Sequence, residues 1–234
     1  MKTKKVTRYV VLGILFFLPV AFLLMLYPST HNYDPLEIVK TNVKEVSNSK
    51  DLMLQDHITV LAFFGSKPMD KAIAASNLKE LVYDKFKGFK KFQMVVVAPQ
   101  GTEDAYNELR KEVERYEDLR FWHYTFHSED DIKAIFNSLK SDSRLDRNLS
   151  TEEVFIIDKD KSQRGRLDDR EDREIEQNKP IKQLYSYNCI EVAEIKNKMS
   201  DDMRILFTEY RQKRKGKFED SDKRRTKDLK QTNE

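Results

Sequence analysis

Three short runs decide what this chain can fold into. Residues 58–64 (ITVLAFF), 92–98 (FQMVVVA) and 154–158 (VFIID) are nearly unbroken apolar stretches, rich in β-branched and aromatic side chains. A strand with polar residues on alternate positions keeps one face in water. A strand without them is buried on both faces, as in a parallel sheet covered by helices. Between the runs the apolar period changes from strand-like to helical. Ile73, Leu78, Leu81, Val82 and Phe86 share one face of a predicted helix over 70–86. Thr102 stands as N-cap of a second helix to about residue 116. Residues 119–126 (LRFWHYTF) form a further strand, and Ser128, with Asp131 three positions on, caps a third helix carrying Ile132, Ile135, Phe136 and Leu139. After 154–158 the chain turns at 159–163 and returns over 164–168 as a hairpin. Residues 168–182 read as an exposed loop, 184–189 as a short strand, and 192–210 as a closing helix. The order β-α-β-α-β-α-β-β-α predicts an α/β fold, a parallel set of strands with one antiparallel hairpin, flanked by helices.

Ahead of this body lies a different signal. Residues 9–27 (YVVLGILFFLPVAFLLMLY) contain no charge over 19 positions, and Lys2, Lys4, Lys5 and Arg8 precede them. A bilayer core takes about 17–25 such residues, more than a secretory leader normally carries. No small-residue cleavage pattern follows, so residues 1–27 read as a signal-anchor. The basic flank stays cytoplasmic, placing the remainder outside the cytoplasm, in the periplasm or its equivalent. Residues 28–55 read as a tether, 56–212 as the folded domain, and 213–234 as a charged tail too polar to fold.

Charge and cysteine content exclude several functions. The chain has 43 basic and 40 acidic residues; without the four basic residues of the amino-terminal flank, 39 basic groups face 40 acidic ones. That balance argues against a nucleic-acid binder, which needs a clustered basic footprint. Cys189 is the only cysteine, which excludes an internal disulfide, a CxxC pair and a cysteine-based zinc site. In an exported domain it is either buried and inert or paired with another chain; the inert reading is preferred. His123 and His127, four apart on a strand, lie about 13 Å from each other, too far to share a metal. His57 reads as a surface residue. Asp158, Asp160 and Ser162 imitate the start of a calcium loop, but Gln163 replaces its glycine and Asp169 its terminal glutamate, so a hairpin turn is expected. The acidic run Asp168, Asp169, Glu171, Asp172, Glu174, Glu176 reads as a solvated loop. No nucleophile elbow or acid pair is recognised.

Three local patterns resemble the Sco/SenC family of thioredoxin-fold, membrane-anchored copper chaperones. The end of the first strand, Phe64-Gly65-Ser66-Lys67-Pro68-Met69-Asp70-Lys71-Ala72, is similar to that family's F-T-x-C-P-x-x-C-P. Residues 122–131 (WHYTFHSEDD) resemble its W-x-F-L-T-G-S segment, and residues 156–168 resemble its late hairpin. The resemblance covers about residues 56–212. It implies a thioredoxin-like sheet, a single amino-terminal anchor, membrane-protein assembly partners and a role in building the copper centre of cytochrome oxidase. The departures matter more. Lys67 and Lys71 stand where the family has its cysteines, and Asn148-Leu149-Ser150 where it has a His-Ser pair. Protonated lysine offers no lone pair to Cu(I), and without a thiolate no disulfide exchange starts.

The expectation is therefore a non-enzymatic adaptor that holds no cofactor or metal, contacts the membrane through its first helix and does not bind nucleic acid. Ser66, Lys67 and Lys71, at a helix start, are the candidate docking point for an anion or an acidic partner segment. The alternatives are an exported enzyme with an unrecognised site and a cell-envelope structural adaptor unrelated to respiration.

Overall fold

A computed structural model describes residues 2–26, 35–47, 52–114 and 118–214 of the 234-residue chain. Two compact units divide near residue 34. The first contains α1 (Lys2–Leu26), 25 residues with Pro19 inside. Large apolar side chains around it, among them Leu12, Leu15, Phe16, Phe22 and Leu24, are exposed. Four basic residues in its first turns shorten its apolar part, and the uncharged run extends to Tyr27, outside the described residues. Among the described residues no helix is long and apolar enough to cross a membrane.

The second unit is built on a seven-stranded sheet. Its strands are β1 (Glu37–Lys40), β2 (Ile58–Phe63), β3 (Phe92–Pro99), β4 (Trp122–His127), β5 (Glu153–Ile157), β6 (Gln163–Gly165) and β7 (Tyr187–Asn188). They lie in the order β1-β6-β5-β2-β3-β4, with β7 added to β5. β2, β3 and β4 are parallel, while β5 runs antiparallel to β2 and pairs with β6 as a hairpin. This is a mixed sheet with flanking helices, as the apolar runs predict, and it fits the thioredoxin-like sheet that the resemblance implies; β5, antiparallel to β2, stands outside the parallel set.

Period-two alternation builds a core on each face. Ile58, Val60 and Ala62 of β2 join Met94, Val96 and Ala98 of β3 on one side; Leu61 and Phe63 join Val95 and Val97 on the other. The first face is covered by α2 (Ala72–Leu78), α3 (Asp84–Phe86), α4 (Glu103–Val113) and α7 (Ser200–Arg214). The second is covered by α5 (Glu129–Asn137) and by Val43, Val46 and Leu54. Burying each large aliphatic side chain contributes about 1.5–3 kcal/mol of transfer free energy. The one polar pair on this face, Thr59 and Gln93, is satisfied: the Gln93 amide donates to Thr59 Oγ1 at 2.9 Å and to the Met53 carbonyl at 3.0 Å.

Several expectations are corrected. Residues 35–47 and 52–55 are not a tether. β1 pairs with β6, and Leu36, Val43, Val46 and Leu54 are buried, so the folded unit begins near Pro35. The loop 168–182 contains a short helix, α6 (Asp172–Glu176), held by a capping box between Glu171 and Glu174. Thr102 does not cap α4 through its side chain; its hydroxyl donates to the Pro99 carbonyl instead. Ser128 does cap α5, accepting from the Asp131 N–H at 3.2 Å. His57 is buried. The helix after β2 opens with a 3-10 turn (Pro68–Lys71) and, between α2 and α3, passes through a π-helical stretch (Lys79–Tyr83). A second π-helical stretch (Glu194–Met199) leads into α7. The disorder expected for the tail concerns residues 215–234, outside the described residues; residues 213 and 214 belong to α7.

Beneath the hairpin lies a buried charge cluster that no sequence pattern announced. Arg164 on β6 is fully buried. Its Nε donates to Asp158 Oδ2 at 2.6 Å, one terminal nitrogen to Glu209 Oε1 at 2.8 Å, and the other to the Leu36 carbonyl. Burial alone would lower the guanidinium's affinity for its proton; Glu209 and Asp158 outweigh that and hold it above its ordinary value. Removing one partner from such a group strands the others in a dry interior. Arg164→Leu is expected to lower the unfolding free energy by roughly 3–5 kcal/mol, read from the urea midpoint of the full chain. A loss within experimental error would show that the cluster is not needed.

Candidate functional site

Ligands of open α/β sheets gather where parallel strands end. Here β2 ends at Phe63, and Phe64 makes one bridge to Ser150 before the backbone turns at Gly65. Gly65 has φ +70°, and a Cβ there would stand 2.2 Å from the Asn148 carbonyl oxygen. Only glycine allows that approach. The next residue uses it: the Ser66 N–H donates to the same carbonyl at 2.8 Å. From the other side Tyr106 of α4 donates its hydroxyl to the Gly65 carbonyl at 2.8 Å.

The opposing turn, residues 146–150, is locked by its own aspartate. Asp146 accepts from the N–H groups of Asn148 and Ser150 and from the Ser150 hydroxyl, each at 2.8 Å. Burial pushes the Asp146 carboxyl up, but the bonds from Ser150 and Asn148 outweigh it and hold it below its ordinary value. Leu149 adopts φ +62° within this turn. The geometry thus sets Asn148 against Ser66, and Ser150, the second residue of the Leu149-Ser150 pair compared with the His-Ser pair, against Phe64.

A cleft of about 330 Å³ opens there, lined by Ser66, Gln100, His127, Ser128, Arg147 and Asn148 among others. Ser66 follows β2, Gln100 follows β3, and His127 ends β4. The two lysines are not part of its lining. Lys67 is exposed ahead of the 3-10 turn, with no side-chain cap bond. Lys71 turns toward β5, its Nζ 3.7 Å from Glu152 Oε1. The three candidate docking residues are therefore divided: Ser66 faces the cleft, and Lys71 faces a carboxylate.

Behind Glu152 sits the lone cysteine. Cys189 is fully buried, and its N–H and thiol both donate to the Glu152 carbonyl at 2.8 Å. Burial pushes the thiol up to about 12, with Lys71 acting weakly the other way. It is a thiol, not a thiolate, at any physiological pH. Among the described residues no group of three or more histidine, cysteine, aspartate or glutamate side chains could hold a metal. Asp158 is a turn residue, as expected: its Oδ1 accepts from the N–H groups of Asp160 and Ser162, each at 2.9 Å.

His127 and His123 lie on β4. Burial lowers the affinity of both rings for a proton, His123 further through Arg110 and His127 against the pull of Asp131. Nε2 of His127 is buried with no partner among the described residues.

A second polar cluster escaped the sequence. Asp202 of α7 takes a forked bond from Arg166, at 2.9 Å from each of two nitrogens, and a 2.6 Å bond from the Tyr187 hydroxyl. Burial raises its carboxyl even so. Asp169, expected in a solvated acidic loop, is instead buried against Arg166 and Lys198.

No family model matches the chain, and no curated protein matches it. Among solved structures it is similar to the apo Sco1 protein of Thermus thermophilus, at 12% identity over 76% of this chain and 94% of that one, with a TM-score of 0.41. The soluble domain of Sco1 from Bacillus subtilis is similar at 13% identity, over 73% and 94%, with a TM-score of 0.39. The thioredoxin domain of a thiol-disulfide oxidoreductase from Bacteroides vulgatus is similar at 15% identity, over 47% and 69%, with a TM-score of 0.33. Likenesses at this level assign no activity; the thioredoxin-like description rests on strand order and direction.

Two measurements check the site. Native protein is expected to leave Cys189 unmodified by a thiol reagent, with full modification in denaturant; rapid native labelling would contradict the buried thiol. For the histidines, an unfolded ring titrates at about 6.5 and the folded rings titrate lower. The unfolded chain takes up protons first as pH falls, so stability is full above about pH 6.5 and declines below it. The double variant His123→Gln, His127→Gln is expected to flatten that decline in unfolding curves recorded across this range.

Proposed function

We propose that this chain is a non-catalytic, thioredoxin-like adaptor, held at a membrane by its first helix with the folded unit outside the cytoplasm. One observation carries the non-catalytic part: at the end of β2, where a thiol or copper centre would be built, the chain has Lys67 and Lys71, and its one cysteine is a buried thiol bonded to a backbone carbonyl. Cu(I) needs soft or imidazole donors, and exchange needs a thiolate. The Sco/SenC kinship belongs to this proposal too. It is supported by the turn carrying Asn148, Leu149 and Ser150 lying against Phe64 and Ser66, the neighbourhood in which that family's ligands would have to converge. A part in cytochrome oxidase assembly follows by analogy of fold, and fold alone is a weak warrant for function.

The membrane part is supported by the sequence. The 19 uncharged residues after four basic ones fit a single span with its amino terminus inside. In this reading Ser66 and Lys67, exposed beside the cleft, are the point where a partner segment engages.

The test uses the full chain. It is expected to take up no Cu(I) against a competing chelator and to leave insulin disulfides unreduced; stoichiometric uptake or reduction would overturn the non-catalytic reading. Alkaline carbonate is expected to leave the chain in the membrane fraction, and its release would remove the anchor. Lys67→Glu is expected to keep the fold and to reduce crosslinking to membrane partners severalfold. An unchanged crosslinked set would remove the docking role.

A further inference from the structure

The opposite end of the sheet, where β2, β3 and β4 begin, has a chemistry of its own. The loop 87–91 (KGFKK) leads into β3 and presents Phe89, 47% exposed. Beside it, just before β4, Phe121 is 37% exposed, its carbonyl accepting from the Met94 N–H. Phe89 is not a loose tip. Its ring packs 4.4 Å from Phe207 and 5.8 Å from Phe86, so the aromatic ring is held at the surface by the core beneath.

Cations gather at this end of the sheet. The Lys91 carbonyl accepts from the Ile58 N–H, and the Lys159 carbonyl from the neighbouring Asp56 N–H, which brings the two loops side by side at the start of β2. Arg214, at the end of α7, belongs to the same group: Lys159 is disfavoured as a cation first by burial and then by Arg214 and Lys91. Lys159 lies over the Tyr210 ring at 5.1 Å. Acids are present as well. Asp84 pairs with Lys87, Asp118 with Arg120, and Asp160 accepts from Tyr210; Asp56 is nearby. Lys90, Lys91, Lys159 and Arg214 form no ion pair among the described residues. Lys91, Lys159 and Arg214 thus lie near one another, and Lys90 and Phe89 share the loop of Lys91, on a body whose overall charge is close to balanced.

We propose that this end of the domain is a contact surface for a membrane rich in anionic lipid. Lysine and arginine heads would meet the headgroup phosphates while Phe89 and Phe121 enter the interfacial layer, the division of labour found in segments that lie on bilayers. A membrane fits better than an acidic protein segment because the surface offers exposed aromatic rings beside dispersed cations, which suit a deformable, laterally uniform partner. The proposal does not need α1 to span.

The experiment uses the full chain with Phe89→Trp, mixed with vesicles of phosphatidylcholine alone or of phosphatidylcholine with phosphatidylglycerol. Trp122 is buried, so the parent chain supplies the background. Emission from residue 89 is expected to shift to the blue and to be quenched by brominated lipid only in the anionic vesicles, and salt should reverse this. Adding Lys90→Gln and Lys91→Gln, both exposed and unpaired, is expected to weaken the response on the order of 25-fold. The same emission in both vesicle types, or no effect of the glutamines, would overturn the proposal. Failure of the anchor gives a different result, because the chain would then not float with neutral vesicles while the anionic response at residue 89 persisted.

Discussion

Arg164 is a guanidinium with no access to water, and much of the domain is arranged to make that tolerable. It sits on a strand of three residues whose neighbours leave it no exit. Gly165 beside it must be a glycine, since a Cβ would stand 2.5 Å from the Leu184 carbonyl and 2.8 Å from Val39. The three directions of the guanidinium then reach three parts of the chain that are distant in sequence: the hairpin turn at Asp158, the entry to β1 at Leu36, and the closing helix at Glu209. A buried ion group of this kind is a weak source of net stability, but an unsatisfied one is costly. The cluster therefore selects the arrangement in which all three elements are present. Gln163, adjacent on β6, repeats the principle without charge: its side chain bonds both backbone groups of Lys140 and the Tyr185 carbonyl.

What the sequence disclosed and what it hid divide along a physical line. The central strands are legible because burial on both faces leaves no polar residue to interrupt an apolar run, and the spacing of Ile132, Ile135 and Phe136 is legible because one helix face is dry. β1 was not legible. Its four residues EIVK are half-buried at best, and what makes it a strand is the free edge of β6, a partner more than a hundred residues away. Asp169 read as part of a solvated loop because Lys198, which pairs with it, is contributed by the segment leading into α7. Part of the candidate site could be read: Gly65, Ser66 and Asn148 do converge. The separation of Ser66 from Lys71 could not, because it depends on Lys71 finding Glu152 across the start of β5.

The two ends of the parallel strands differ in kind. At the carboxyl ends, backbone groups are closely satisfied: Tyr106 bonds Gly65, Ser66 bonds Asn148, and Asp146 closes its own turn. A closely bonded rim surrounds a modest cleft there. At the amino ends the rings and the lysines are outward. A domain with both features has one end suited to a shaped partner and one suited to an unshaped surface.

The π-helical stretch at Lys79–Tyr83 bears on how this chain can vary in length. In a regular helix each residue turns the backbone by about 100°, and a π-turn accommodates one more residue than an α-turn. The wide turn absorbs that residue, so the segments on its two sides keep the relative facing they would have in a regular helix one residue shorter. Phe86, which stacks on Phe207 at 5.5 Å, lies just beyond it. Deleting a single residue between positions 79 and 83 would turn the wide turn into an α-turn and leave Phe86 facing the closing helix, so this is the stretch where the helix can shorten by one residue and keep its packing.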